Sequence, residues 1–521
     1  RGGEHVRPAR VLLLGGEEVV AYPPVDLWFS VLGGVNSQQI DSLQQGRELV
    51  EMSTASDVFA DLEGKLTTRP GFGAVRSTVI LNSPAITGMF HMGDLVDEFL
   101  LGNSLTGALA RDNANPPVDL AMGTAFTTGQ NVLLRADFHE SLMIVVSNAR
   151  NVPQTVSASV VVANLGGTPP RGIDYKVFAR RGLMFSPSDG TTTYRNLVSF
   201  NSANDDHDVW SLPYTTNALS FGRIGSDVNV LGGEIFQDFC MAFTNHNVYP
   251  IYATPSADLP LGFQNSVFSE RGGGPPNIHA VVAANDSLYW ISQNFDVKRM
   301  RPDRSVVSIG YAIQPFLRGL FDSRRVYTIG GWEPQFRMVF WAVSDGSDTT
   351  NQDVIALKVD TGQFYFLTLT RNAFANRVVS GEIRLIGGGY AGLFYNEFST
   401  ATTGVGDNAA SAIDADVMTP RHHLGLPGVL KKIPFVAVEV DPIGTEAITF
   451  QHQLNDDQTW TSFPESPYTV SGTDIKLVYL RSPGPFERIR LRFRDANSGD
   501  RYRILRYGFP RPRVLTQRMV G

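Results

Sequence analysis

Four arginines, Arg488, Arg490, Arg492 and Arg494, alternate with Ile489, Leu491 and Phe493 near the end of this 521-residue chain. In an extended strand a period of two puts all four guanidinium groups on one face, and Arg501 and Arg503 repeat the pattern. Three kinds of chemistry fit such a face. It could lie along phosphates, adding salt-dependent affinity without reading bases. It could form bidentate pairs with carboxylates of a neighbouring subunit, which the planar fork of Arg favours. It could also be a solvated sheet edge whose like charges keep other strands away. Phe493 alternates away from the arginine face, so no stacking aromatic accompanies it for nucleic-acid binding. Residues 481–521 hold eleven Arg, no Lys and three acids, a net +8, which leaves −15 on residues 1–480 in a chain of net −7. An acidic body with a basic end points to a polyanion or an acidic docking partner.

Enzyme chemistry finds little to stand on. The nine His include no HExxH, and His422 and His423 are adjacent, which on a strand sends them to opposite faces; they read as a surface loop pair. The glycine clusters at 272–274 and 387–389 lack the Lys or Ser/Thr and the following helix that a phosphate-cradling loop needs. They read as loop and bulge glycines. Gly272, Gly273, Gly274, Pro275 and Pro276, at the end of 262–276, form a candidate mobile or subunit-bridging loop. Cys240 is the single cysteine, within FCMAF, and is expected to be a buried, inert thiol. The stretch SPSDGTTTY at 186–194 approximates the Asp-box turn of sialidase-like propellers, in which the Asp side chain ties the hairpin's own amides. NDDQTW at 455–460 is a looser version. A glycosidase would also need a carboxylate pair, or a Tyr nucleophile with an acid partner. No such constellation is recognisable, so no catalytic, metal-binding or cofactor-binding residue is assigned and an enzyme is not expected.

The elements that would carry these residues are strands. HAVVAA at 279–284, a two-residue Asn285-Asp286 turn and SLYWIS at 287–292 make a hairpin, followed by 297–300, 336–344, 353–359, a turn at Asp360-Thr361-Gly362, and 363–368. Comparable apolar centres lie near His91, Ile144, Met184, Met241, Tyr289, Val339 and Phe394, at intervals of 40 to 57 residues. Propeller blades recur at roughly 40–50 residues. Fifty Gly, 30 Pro and only 18% charged residues suit a turn-rich β protein. The expected fold is all-β: a β-propeller of six or seven blades at 81–415 with a C-terminal β-sandwich at 416–521. Residues 1–80 read as a lead-in or extended segment broken by glycines, in which a weak helical stripe can be drawn at 42–62. The stretch 399–416 loses its apolar rhythm and reads as a linker or surface loop. Five strand candidates follow it, at 435–440, 447–454, 475–480, 488–493 and 502–507. No apolar run reaches 18 residues, so no membrane-spanning helix is expected. The apolar core at 11–14 is too short for a secretory signal, and a start at Arg1 suggests that N-terminal residues are missing.

Taken in order, these segments resemble the tail nozzle, or tail hub, family of short-tailed bacteriophages, also described as tail tubular protein B or packaged-DNA stabilisation proteins. The resemblance is carried by Gly34-Val35-Asn36 followed by LTTRPGF at 66–72. It is carried also by AVVAANDSLYWIS, DVKRM and IQPFLRGLF within 280–321, by WAVSDG and VDTGQFYF within 337–366, and by FERIRLRF at 486–493. It implies a non-enzymatic virion protein without cofactors, assembled in the host cytoplasm as a homo-oligomer, commonly a hexameric ring. Its partners would be portal and adaptor proteins, tail fibres or spikes, and packaged double-stranded DNA passing without sequence reading. An acidic lumen would repel phosphate and let DNA slide. The other readings are a receptor- or glycan-binding tail module and, further off, a sialidase-like hydrolase.

Overall fold

The computed structural model describes residues 25, 27–30, 54–60, 65–69, 71–75, 79–93, 98–113, 116–202, 205–221, 228–320, 322–345, 349–379, 382–396, 413–424, 426–472, 474–495 and 501–515. Two compact units emerge: 70–400 with 407–409, and 1–69 together with 401–406 and 410–521.

The first unit is a seven-bladed β-propeller. Six antiparallel sheets take their strands in sequence order from 86–119, 134–164, 174–220, 230–263, 281–308 and 329–368, here blades 1 to 6. Blade 7 takes three strands from 373–396 and its fourth, Gly73–Ala74, from far upstream. First strands touch those of the next blade all the way round, and Ala373–Val379 of blade 7 returns to Ile86–His91 of blade 1. The second strands read LMIVVS, FCMAFT, SLYWI and MVFWAV because each is covered on both faces by neighbouring sheets. Apolar clusters fill the seams; between blades 5 and 6, for example, Tyr289, Ile291, Val339, Trp341 and Ile355 pack together. The seven apolar centres seen in the sequence fall one in each blade. Cys240 is fully buried between blades 3 and 4, and burial pushes its thiol up, as expected of an inert one. The Asn285 turn adopts φ 52 and joins Ala284 to Ser287. Strands Val306–Ser308 and Ile329–Glu333 escape the sequence pattern, the second because Gly330 and Gly331 interrupt its apolar alternation.

The second unit is a β-sandwich built on one long strand, Phe435–Leu454, which merges two of the expected segments. Its first half pairs with Lys476–Arg481 on one side and Arg501–Phe509 on the other. Its second half pairs with Ile489–Asp495, and Tyr468–Gly472 joins at the middle. The two sheets face each other through Phe493 and Tyr507, ring centroids 5.9 Å apart. Described parts of the supposed lead-in are strands of these sheets. Leu27–Ser30 and Leu66–Thr68 pair with Arg501–Phe509, and Thr54–Ser56 pairs with Ala415–Met418. The division between units therefore falls at 69/70 rather than at 80. The end of the supposed linker, Ala415–Met418, is itself a strand paired with Ile489–Asp495. Of the helical stripe, 54–60 is strand apart from a bend at Asp57, and 42–53 and 61–62 lie outside the described residues, as does Gly34-Val35-Asn36.

His422 corrects the reading of a surface histidine pair. It is 2% exposed, its Nε2 lies 2.8 Å from the Tyr507 hydroxyl, and Phe29 and Phe509 pack on its ring. Burial, with a small contribution from His423, pushes its imidazole down to about 3. The folded chain thus holds it neutral while the unfolded chain protonates it near pH 6.5, so its contribution to stability is complete above about 6.5. It is lost by about 1.4 kcal/mol per pH unit as pH falls towards the folded value. His139, His279 and His452 shift in the same direction, so the test compares variants. Between pH 7 and 5, His422→Gln should lose about 2 kcal/mol less in urea unfolding than the parent chain.

Candidate functional site: the basic strand and the propeller axis

Arg490, Arg492 and Arg494 do share one face of Ile489–Asp495, with Ile489, Leu491, Phe493 and Asp495 buried on the other. The strand is not an edge, because Ala415–Met418 and the second half of Phe435–Leu454 flank it. Nor do its cations wait for a distant acid. Arg492 forms a bidentate pair with Asp416 (2.8 and 2.7 Å), and Arg494 does the same with Asp414 (2.8 and 2.6 Å). Arg490 donates to the Thr419 carbonyl at 2.9 Å, and both Arg490 and Arg492 lie over the Trp460 ring. Arg488 pairs with Asp456, Arg503 with Asp441, Arg506 with Glu439 and Arg481 with Glu465. Arg501 opens its strand opposite Ile443. The charge asymmetry along the sequence is therefore largely cancelled in space, since the carboxylates of 414–465 meet the arginines of 481–506 within one unit. Asp416→Ala should lower stability by about 1–2 kcal/mol in urea titrations, because the pair is mostly buried. Asp414→Ala should cost less than about 0.5 kcal/mol, since water screens that exposed pair.

The glycine-proline segment, the candidate mobile or subunit-bridging loop, is packed against blades 4 and 5. Gly273, Gly274 and Pro275 are buried. Trp290 Nε1 donates to the Gly273 carbonyl (2.8 Å), Gln293 N to Gly274 (3.0 Å) and Gln293 Nε2 to Pro275 (3.0 Å). Gly272 donates its N–H to His246 Nδ1 (2.9 Å), and Pro276 follows. A Cβ at Gly274 would stand 1.9 Å from the Thr244 carbonyl oxygen, so only a glycine allows this close approach. The Asp-box reading holds: Asp189 Oδ1 accepts from the amides of Thr191 and Thr192, each at 2.7 Å, and these bonds hold its carboxyl below the usual range. That role is structural.

What sequence reasoning missed lies on the propeller axis. The first strands of blades 2, 3 and 4 deliver Arg135, Asp174, Lys176 and Glu234 to one cluster. Arg135 bridges Asp174 (3.1 Å) and Glu234 (3.0 Å), and Lys176 reaches Glu234 at 3.1 Å. Asp174 also accepts from the amides of Gly233 (2.9 Å) and Tyr175 (3.0 Å). A bulge at Gly232, φ 146, presents the Gly233 amide, and a Cβ there would stand 2.6 Å from the Asp174 carboxylate. Against burial, which would raise it, Lys176 and Arg135 hold Glu234 below the usual carboxylate range. Against burial, which would lower it, the two carboxylates keep Arg135 firmly charged. Burial and the positive charge of Arg135 together keep His279 neutral. On the same propeller, Arg324, from the 309–328 connection, donates to Asn131 Oδ1 and to the Tyr390 hydroxyl (3.4 Å). Asn372 Nδ2 donates to the Ile86 and Gln130 carbonyls (3.0 and 3.1 Å). Among the described residues no three of His, Cys, Asp and Glu are placed to hold a metal ion, and no helix is long and apolar enough to cross a membrane. The signal for the axis was a charge on the first strand of three consecutive repeats, legible only once the strands are known to face one another.

No family model and no curated protein matches this chain. Among solved structures it is similar to the Neurospora crassa Pan2 WD40 domain, at 11% identity and TM-score 0.37 over 64% of this chain and 96% of that one. It is similar to the computationally designed Ika8 protein at 8% and 0.34, over 63% and 100%. Similarity to BBS1N in its complex with ARL6DN is 9% and 0.40, over 64% and 98%. The blade count rests on the sheets themselves.

Proposed function

We propose that this chain is a structural subunit of a short phage tail, the nozzle or hub. In this reading about six copies form a ring below the portal and adaptor proteins, retain packaged DNA and let it pass during ejection. The observation that carries it is the course of LTTRPGF, the segment that bears the resemblance most compactly. Leu66–Thr68 is a strand of the sandwich, and Arg69, 2% exposed, pairs with buried Asp57. Phe72 then packs edge-on against Tyr395, and Gly73–Ala74 completes blade 7. One short motif thus belongs to both units of this chain, and the propeller is an insertion between the two segments of the sandwich. The pieces within 280–321 and 337–366 supply most of blades 5 and 6, and 486–493 leads into the arginine strand.

DNA would run through the centre of the ring of copies, not along the propeller axis. The axis carries a buried ionic cluster, and a duplex has a major groove alone about 12 Å wide. Mass photometry of the purified protein, alone and on its tail complex, tests the reading. A species near six times the 57.0 kDa chain supports it. A chain that stays monomeric with portal and adaptor present, and is absent from virions, ends it.

A further inference from the structure

The propeller axis contains a cavity of about 220 Å3 whose polar lining includes Thr87, Arg135, Lys176, Glu234, His279 and Asn372. We propose that it binds a small neutral polyhydroxylated molecule, between glycerol and a monosaccharide in size. This does not depend on the tail reading.

Size and charge point the same way. The cavity is far above the roughly 10–15 Å3 that a single water needs. Arg135 and Lys176 are balanced by Asp174 and Glu234, to which they are bonded, and His279 is uncharged. An ionic ligand would therefore lose its hydration without meeting an unmatched countercharge. Hydrogen-bonding capacity favours the hydroxyl. Lys176 has three N–H donors and places one on Glu234 at 3.1 Å. The site thus offers donors at Lys176 and Arg135 and an acceptor at Glu234, whose side chains keep 12%, 16% and 17% exposure, and a hydroxyl group meets both kinds at once. Several hydroxyls on one small frame can meet them together.

The test uses the full chain, with saturation-transfer NMR and calorimetry against glycerol, myo-inositol and glucose, and citrate and inorganic phosphate as anionic probes. Ala136 lines the cavity, and Ala136→Leu puts an isobutyl group into it. At least one polyol should bind saturably, and Ala136→Leu should weaken it by about tenfold or more. If that variant fails to fold, Thr87→Val, which keeps the shape and removes a hydroxyl, should weaken the same polyol several-fold. Absence of saturable polyol binding to the parent chain up to roughly 50 mM overturns the proposal. So does tighter binding of citrate or phosphate than of any polyol, or binding unchanged in the folded variants.

Discussion

Asp174→Ala should lower the unfolding free energy by about 3–5 kcal/mol, the cost of leaving one partner of a buried ion pair behind. Asp174 is fully buried and receives Arg135 Nε at 3.1 Å together with the amides of Gly233 and Tyr175. Its removal strands two N–H groups and half of the compensation for the Arg135 charge, at a point where three blades meet. The double change Arg135→Met with Asp174→Leu should recover much of the loss, because well-packed apolar groups often replace a buried pair at little cost. Urea unfolding followed by tryptophan fluorescence measures both. A loss below about 1 kcal/mol for the single variant would mean that water reaches the cluster and screens it.

Arg371→Ala should cost about 3 kcal/mol, within the range for emptying a large buried side chain. The fourth strand of blade 7 is only Gly73–Ala74, held by its pairing with Tyr395 and Asn396 and by the Val75 amide on the Phe394 carbonyl at 2.9 Å. So short a strand depends on the side chains beside it. Arg371, 2% exposed, lies against both the Phe72 and Tyr395 rings where they meet edge-on, its guanidinium carbon 4.4 and 4.6 Å from their centroids. Each such contact, when shielded from water, contributes up to about 2 kcal/mol. Arg371→Lys keeps the charge but loses the flat stacking surface, and should fall between the two. Differential scanning calorimetry would read the stability, and limited proteolysis near 70–80 would read opening of the ring. Full resistance to protease in the alanine variant would show that the backbone pairing suffices to close blade 7.

Much of the propeller was legible in the sequence because its signal is local. A strand covered on both faces must be apolar throughout, and one such strand marked Ile144, Met184, Met241, Tyr289 and Val339 in blades 2 to 6, while His91 and Phe394 marked the first strand of blade 1 and the third of blade 7. The completion of the seventh blade was not local. The last blade is finished by Gly73–Ala74, two small residues in a glycine-broken stretch with no strand pattern of their own, and only closure of the ring reveals where they belong. The arginine strand divides in the same way. Alternation alone placed Arg490, Arg492 and Arg494 on one face, since strand geometry has a period of two. Which anions meet them depends on register between strands some eighty residues apart, and the answer, Asp414 and Asp416, lay in a stretch without apolar rhythm. His422 looked like a loop residue because its partners Phe29 and Tyr507 come from opposite ends of the chain. The axial cluster, assembled from single charges on three blades, was invisible for the same reason. Periodicity reports which face of an element is buried; which elements meet across that face is decided when the whole chain packs.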